Sequence, residues 1–184
     1  MFTAAASATA ALALGTRPAA AARPSPQGDD VAFLTFAGVA EGVAARCYGN
    51  SLRIAGAWSR TEKGLLREAG RQHLANVTRI NAGLEQQDLI HSGAFERVVP
   101  VSSRATALAT AIELEALLTG TYLDGLIDVA DPVTRLLLGR MLAASSRNRA
   151  TFARIAGRPL GGMPGAIDLD VAGERLDKYI KEPS

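Results

Sequence analysis

The sequence is poor in the residues that build disulfide frameworks and sulfur-based metal sites. Cys47 is its single cysteine, so neither an intramolecular disulfide nor a cluster of thiolate ligands can form. The three methionines, Met1, Met141 and Met163, lie too far apart in sequence to indicate a thioether metal site. Only 5% of the residues are aromatic, whereas alanine, leucine and arginine are abundant. That composition favours helix over sheet.

A strong charge imbalance is also lacking. The 20 lysines and arginines stand against 18 aspartates and glutamates, which leaves a net charge of +2 with the two signs scattered along the chain. No extended field of one sign is available to attract nucleic acid or an anionic membrane surface, so we expect no nucleic-acid partner. With 184 residues, of which 48% are hydrophobic, the chain is long enough to bury one core.

Residues 1–28 are expected to be a leader and spacer. Residues 1–22 combine a weakly apolar, alanine-rich segment with small residues suited to signal-peptidase cleavage, which predicts an exported protein, secreted or held in the cell envelope. The apolar part, residues 4–14, is too short to cross a bilayer, and we expect no membrane span. A disordered alanine-rich leader is the alternative. Residues 23–28 have the composition of a flexible spacer.

The next part of the sequence predicts a pair of helices. Asp29 or Asp30 can cap the first helix, which should run through about Ala55. Ser59, followed three residues later by a glutamate, forms a capping-box pattern that opens a second helix ending near Leu84. Because the link between them is short, we expect the two helices to form an antiparallel hairpin.

A second pair follows. Ser102 or Ser103 begins the third helix, which ends near Val129, and Asp131 caps a fourth helix that ends before Gly157. Their short link predicts another antiparallel hairpin.

A long connection, residues 85–101, separates the two hairpins and allows the chain to cross over. The fold class is therefore all-α, and residues 29–157 are predicted to form a four-helix bundle of two hairpins joined by this crossover. Residues 158–184 are predicted to be a C-terminal loop and short helix, lying on the surface as an appendage.

The first and third helices repeat one pattern of buried residues. At about 100° per residue, Glu41 falls in the middle of the apolar stripe of the first helix and Glu115 in that of the third. Tyr48 follows Glu41, and Tyr122 follows Glu115, by seven residues in each case. The two copies are offset by 115 − 41 = 74 residues. The repeat indicates two hairpins built on one plan.

The second and fourth helices repeat more weakly. His73 lies on the apolar side of the second helix, and Asn148 takes the corresponding place on the fourth, at an offset of 148 − 73 = 75 residues. Together these features resemble the ferritin-like superfamily, the rubrerythrin and ferritin type of four-helix bundle. The resemblance covers about residues 30–157.

In that family, one glutamate from each of two helices and a Glu-x-x-His pair from each of the other two hold two iron or manganese ions. Glu41 and Glu115 match the two single glutamates, and His73 matches one histidine. The other three ligand positions carry residues that are not family ligands, namely Gly70, Ser145 and Asn148. The resemblance therefore implies a degenerate di-metal site.

Two interpretations of these residues stay open. In the first, Glu41, His73 and Glu115 bind one divalent ion, Fe, Mn or Zn. The side chains expected to contact these three ligands are then Tyr48, Tyr122, Asn148 and Ser145. In the second, protonated His73 bridges the two carboxylates in a metal-free bundle that binds a small molecule or a partner protein. The resemblance also makes a homodimer an expectation, and the residues assign no reaction, so the sequence does not say whether the protein is an enzyme.

Overall fold

The computed structural model describes residues 24–180, whose regular elements are all helices, and this confirms the predicted all-α class. Its five α-helices are α1 (Asp29–Ser51), α2 (Arg60–Asn81), α3 (Arg104–Asp128), α4 (Pro132–Ile155) and α5 (Leu169–Asp177). Two short 3-10 helices, Gln86–Asp88 and Ser92–Phe95, lie between α2 and α3. The predicted leader, residues 1–22, falls outside the described residues.

Three of the four long helices begin as predicted. The Ser59 side chain accepts the backbone N–H of Glu62, whose carboxylate in turn accepts the Ser59 N–H at 2.8 Å, so the capping box that opens α2 is complete. Ser103 caps α3 and Asp131 caps α4. Each cap satisfies a backbone donor that the first turn of a helix leaves free.

The start of α1 differs from the prediction. Neither Asp29 nor Asp30 caps it, because Gly28 occupies the N-cap position with φ of 55°. The buried Asp30 carboxylate instead accepts the backbone N–H groups of Ala130 and Asp131, at 3.0 and 2.9 Å. This aspartate therefore fastens the start of α1 to the link between α3 and α4.

The end of α1 also differs. The helix ends at Ser51 rather than near Ala55. The buried indole of Trp58 donates to the Ser51 carbonyl oxygen at 2.7 Å, so the last turn of α1 is closed by a side chain from the link rather than by further helix. Gly56 lies within that link at φ of 69°, a left-handed conformation that favours glycine.

The helices pack as neighbours around one core. α1 packs against α2 and α3, α3 packs against α4, and α2 approaches α4. Arg104, at the start of α3, donates to the Glu62 carboxylate at the start of α2 (2.5 Å) and to the Ile155 carbonyl at the end of α4 (3.3 Å). Hydrogen bonding from Arg104 lowers the pKa of Glu62 to about 2. These contacts place the starts of α2 and α3 at the same end of the molecule.

Glycines on α1 make room for the connection between α2 and α3. A methyl group at Gly38 would clash with the Ile90 side chain, and one at Gly42 would clash with the Phe95 ring. Ile90 is buried, and its backbone N–H and C=O are both held by the Asn81 side chain, at 2.9 and 3.0 Å. The connection is therefore packed onto α1 as part of the core.

The C-terminal segment is not a surface appendage, and that prediction is wrong. Ala172 and Leu176 of α5 are buried, with 0% and 3% of their surface exposed. The backbone N–H of Val99 donates to the Tyr179 carbonyl at 2.9 Å, beside an isolated β-bridge that is the only β-type pairing in residues 24–180. Apolar residues on one side of α5 cover the core where α3 meets the connection.

A substitution at Gly120 should test this attachment. A Cβ at Gly120 would lie 2.7 Å from the Gly165 carbonyl oxygen and 2.5 Å from Ile167 Cδ1. Because part of that clash is with backbone, we expect Gly120→Ala to lower the unfolding free energy by about 1–3 kcal/mol in urea titrations. The control is Gly139→Ala, whose Cβ would meet only Leu126 at 3.9 Å, and which should be neutral or stabilising by up to about 1 kcal/mol. Equal effects at the two sites would contradict the close packing of the segment.

Helix α1 alone among the described helices is long and apolar enough to cross a membrane, with a mean hydropathy of 1.3 over its best window. Of that window, 67% is buried against the rest of the molecule, as expected for the central helix of a core.

Candidate functional site

Three ionisable side chains meet at the centre of the molecule. Glu41 on α1, His73 on α2 and Glu115 on α3 are 0%, 1% and 0% exposed. His73 lies between the two carboxylates, with Nδ1 2.5 Å from Glu41 Oε2 and Nε2 3.0 Å from Glu115 Oε1. We refer to these residues as the Glu-His-Glu triad. Its members come from three helices, so the triad forms only when those helices are packed together.

Two tyrosines complete the triad by crossing between α1 and α3. Tyr48 on α1 donates its hydroxyl to Glu115 Oε1 at 2.8 Å, and Tyr122 on α3 donates to Glu41 Oε1 at 2.5 Å. The reciprocal pairs require α1 and α3 to run antiparallel, because the acid that comes first on each helix meets the tyrosine that comes later on the other. The internal repeat in the sequence therefore has a structural meaning: each copy supplies the hydrogen-bond partner of the other.

The environment of His73 keeps its imidazole protonated. Burial alone would lower the pKa of His73, but the charges of Glu41 and Glu115 and the hydrogen bonds to them outweigh burial and raise the pKa to about 10. Both ring nitrogens are then N–H donors, each facing one carboxylate. The triad at neutral pH is an imidazolium held between two acids.

The two tyrosines remain protonated donors over the same pH range. Burial, followed by the neighbouring carboxylates, raises the pKa of Tyr48 and of Tyr122 well above 10. A phenol that keeps its proton can stabilise a buried carboxylate by a hydrogen bond without adding a third negative charge.

A polar chain that the sequence reading did not identify leads outward from the triad. Asn76 is buried and donates to Glu41 Oε2 at 3.1 Å, and Arg79 donates to the Asn76 side-chain oxygen at 2.9 Å. Asn76 and Arg79 lie three and six residues after His73 on α2. That spacing places all three along one side of the helix, and it is the signal from which this chain could have been found.

The two α4 side chains that were expected to contact the ligands, Asn148 and Ser145, make no hydrogen bond to the triad. Asn148 is half-buried and donates to Gln72 at 3.4 Å rather than to the triad. Ser145 is buried, but among the described residues no hydrogen bond joins it to the triad. The inner side of α4 carries Phe152, whose ring packs 5.2 Å from that of Tyr48, measured between centroids. α4 therefore packs an apolar ring against Tyr48, the tyrosine of α1 that donates to the triad.

Gly70, the position of the missing glutamate, also lies outside the centre. It borders a surface groove between α1 and α2, and a Cβ there would come no closer than 3.8 Å to the Ala45 carbonyl oxygen. The exchange of glutamate for glycine thus leaves no central void at this position.

The triad as placed is held by hydrogen bonds between its own members. Two ligands of a tetrahedral ion lie about 3.3–3.6 Å apart, given metal–ligand bonds of about 2.0–2.2 Å. Glu41 Oε2 and His73 Nδ1 are closer, at 2.5 Å, and Glu115 faces the opposite ring nitrogen. Within residues 24–180, no group of three or more His, Cys, Asp or Glu side chains has an arrangement that could hold a metal.

One atom of the triad is unsatisfied. Glu115 Oε2 is buried and has no hydrogen-bond partner among the described residues. A buried acceptor of this kind costs about 1–3 kcal/mol unless water or another group reaches it.

No family model matches the sequence, and comparison with curated proteins and with solved structures gives no match. The interpretation of this site therefore depends on its own geometry.

Proposed function

We propose that the chain is an exported, ferritin-like four-helix bundle in which the Glu-His-Glu triad takes the place of the metal centre. In this proposal the protein works as a metal-free binding protein, and the triad stabilises and specifies the packing of its helices. Export is inferred from the composition of residues 1–22.

The ferritin-like assignment is supported by how the long helices contact one another. α1 with α2, and α3 with α4, are joined by short links, whereas 22 residues, 82–103, separate α2 from α3. Arg104 bonds at the start of α2 and at the end of α4, so the connection has to return along the length of the molecule before α3 begins. Two hairpins joined in this way are the arrangement of ferritin-like bundles.

The metal-free state is supported above all by the position of His73 between two acids. A metal ligand must offer a lone pair on one ring nitrogen, whereas both nitrogens of His73 face carboxylate oxygens within hydrogen-bond distance. A single protonated imidazole between two carboxylates also reduces the buried charge from −2 to −1. That residual charge is further stabilised by the two tyrosine hydroxyls and the Asn76 amide.

A binding role is favoured over catalysis at the triad because the triad is closed. A catalytic group has to touch its substrate, and Glu41, His73 and Glu115 expose at most 1% of their surface. Ligands would therefore be bound on the faces of the helices, and the triad would act on them only through the residues that connect it to the surface.

A second candidate function, the binding of one divalent ion, is favoured by one observation. Glu115 Oε2 is buried without a partner, and a cation is one group that could satisfy it. For Glu115 and His73 to share an ion, the imidazole would have to give up its hydrogen bond to that carboxylate and lose a proton.

Metal analysis tests the two candidates directly. We expect protein purified without chelator, and then dialysed against Fe(II), Mn(II) or Zn(II), to hold well below one equivalent of metal. Glu41→Ala should hold the same background amount, since no ion is bound through this acid. One equivalent in the wild type that is lost in Glu41→Ala would overturn the metal-free proposal.

A further inference from the structure

α2 and α4 pack less closely than the other neighbouring helices, and a surface groove of about 700 Å³ lies between them. Three arginines line it: Arg71 and Arg79 from α2 and Arg147 from α4. Its single acid is Glu68, which pairs with Arg71. The formal charge of the groove lining is thus 3 − 1 = +2, on a chain whose total is also +2.

Two of these arginines have no acidic partner. No carboxylate of residues 24–180 lies within ion-pair distance of Arg79 or Arg147. Arg79 uses one nitrogen for the Asn76 side chain, and a guanidinium has five N–H donors, so several remain free to face the groove. Two unpaired guanidinium groups from two helices, opening into one concavity, make a site that complements an oxyanion.

Neutral polar groups extend the same surface. Asn148, Gln72 and Thr151 also line the groove, and Asn148 donates to Gln72 over a long distance of 3.4 Å. A hydrogen bond of that length is weak, so the two amides could turn toward a ligand at small cost. The volume lies within the range of about 300–1,000 Å³ typical of small-molecule sites.

We propose that this groove binds the phosphate group of a small molecule, with Arg79 and Arg147 as the principal contacts. The charge of the groove favours a phosphate ligand over a carboxylate. A phosphomonoester carries about −1.5 to −2 at pH 7, which matches the formal charge of +2 on the lining residues, whereas a single carboxylate carries −1. The proposal deepens the binding role and rests on it.

The site is connected to the centre of the molecule. Arg79 holds Asn76, which in turn donates to Glu41 of the triad, so a ligand that orders Arg79 also orders a contact of the buried acid. This connection gives the groove a rigid side on α2, which lowers the entropy lost when the arginine engages a phosphate.

Calorimetric titration of the full chain with inorganic phosphate, and separately with phenyl phosphate, tests the site. We expect saturable one-to-one binding of at least one of them in buffered 0.15 M NaCl. Tighter binding of phenyl phosphate assigns an organic phosphate, and binding of inorganic phosphate at least as tight assigns the free ion. Acetate should bind at least about tenfold more weakly, given a difference of one charge-assisted hydrogen bond or more.

Matched variants locate the binding. Arg147→Gln should weaken phosphate binding about tenfold or more, and Arg79→Gln should do the same. The control is Arg140→Gln, which removes the same charge from an exposed position on α4 that does not line the groove. Circular dichroism melts should be unchanged for the α4 variants, since both arginines are exposed.

Two results would overturn the site: no saturable binding below about 10 mM, or equal losses in Arg140→Gln and Arg147→Gln. These outcomes are separate from those of the metal analysis. If the protein is metal-free and does not bind phosphate, the groove proposal is wrong and the triad proposal stands. If the protein binds a metal and its phosphate binding depends on Arg147, the triad proposal is wrong and the groove proposal stands.

Discussion

Replacing His73 by glutamine is expected to lower the unfolding free energy by about 3–5 kcal/mol, the usual cost of removing one partner from a buried ion pair. The substitution leaves Glu41 and Glu115 buried without the cation that separates them, and glutamine offers only a neutral amide in its place. Urea titrations at pH 7, followed by far-ultraviolet circular dichroism, measure the effect.

Two further variants show whether charge is responsible. His91→Gln alters the other histidine, which is exposed, and should change the unfolding free energy by less than about 0.5 kcal/mol. A triple variant in which Glu41, His73 and Glu115 are all glutamine buries no charge and should recover most of the lost stability. A His73→Gln protein as stable as the wild type would mean that the triad carries no such charge interaction.

Stability should also fall as the pH rises from about 6.5 toward 10. The folded-state pKa of His73 is raised to about 10 from an ordinary value of 6.5. Below pH 6.5 the imidazole is protonated whether the chain is folded or unfolded, so its contribution is fully present. Between these values the unfolded chain loses the proton that the folded protein keeps, and the unfolding free energy falls by about 1.4 kcal/mol per pH unit.

The groups that face His73 are the two carboxylates, from α1 and α3, and the tyrosines Tyr48 and Tyr122, which stay protonated in this window. The triple variant, in which Glu41, His73 and Glu115 are all glutamine, should show a flat profile between pH 6.5 and 8.5. Above about pH 9 both proteins should lose stability because of Cys47. Burial raises the pKa of its thiol to about 12, so the unfolded chain loses a proton that the folded protein keeps. Parallel profiles over the whole range would contradict a protonated His73.

The helices and most of their caps follow from local chemistry, and so they could be predicted. Ser59, Ser103 and Asp131 each sit where a short polar side chain can satisfy the first backbone donors of a helix. Asp30 could not be read in this way, because its partners lie about 100 residues away on the link between α3 and α4. The residues next to Asp30 in the sequence do not indicate that its carboxylate bonds to backbone groups so distant in the chain.

The three residues at the centre of the site could be predicted by projecting each helix down its axis, whereas the residues around them could not. Projection placed Glu41, His73 and Glu115 on facing sides of their helices, and the structure brings their side chains together. The same projection treated Asn148 as an inward residue of α4, although small rotations of a helix decide which of two nearby residues faces the core. Here the bulky ring of Phe152 fills the interior and Asn148 turns toward α2.

The packing of the chain after α4 was missed for a related reason. α5 has only nine residues, and its two buried positions, Ala172 and Leu176, form too short a pattern to reveal a core contact. The segment packs closely against α3 at Gly120 because glycine has no side chain there. A glycine adds nothing to a hydrophobic pattern, so this contact could not be predicted from the sequence.

The crossed bonds from Tyr48 to Glu115 and from Tyr122 to Glu41 have a consequence for how the molecule can be divided. Glu41 has His73 and Asn76 as partners in its own half, but the tyrosine hydrogen bond of each acid comes from the other half, so a separated half would lack that bond. Two identical copies of one half, packed antiparallel, would exchange the same pair of tyrosine hydrogen bonds. The crossed bonds thus give the centre of this single chain an approximate two-fold symmetry, which is broken where one half carries His73 and the other Asn148.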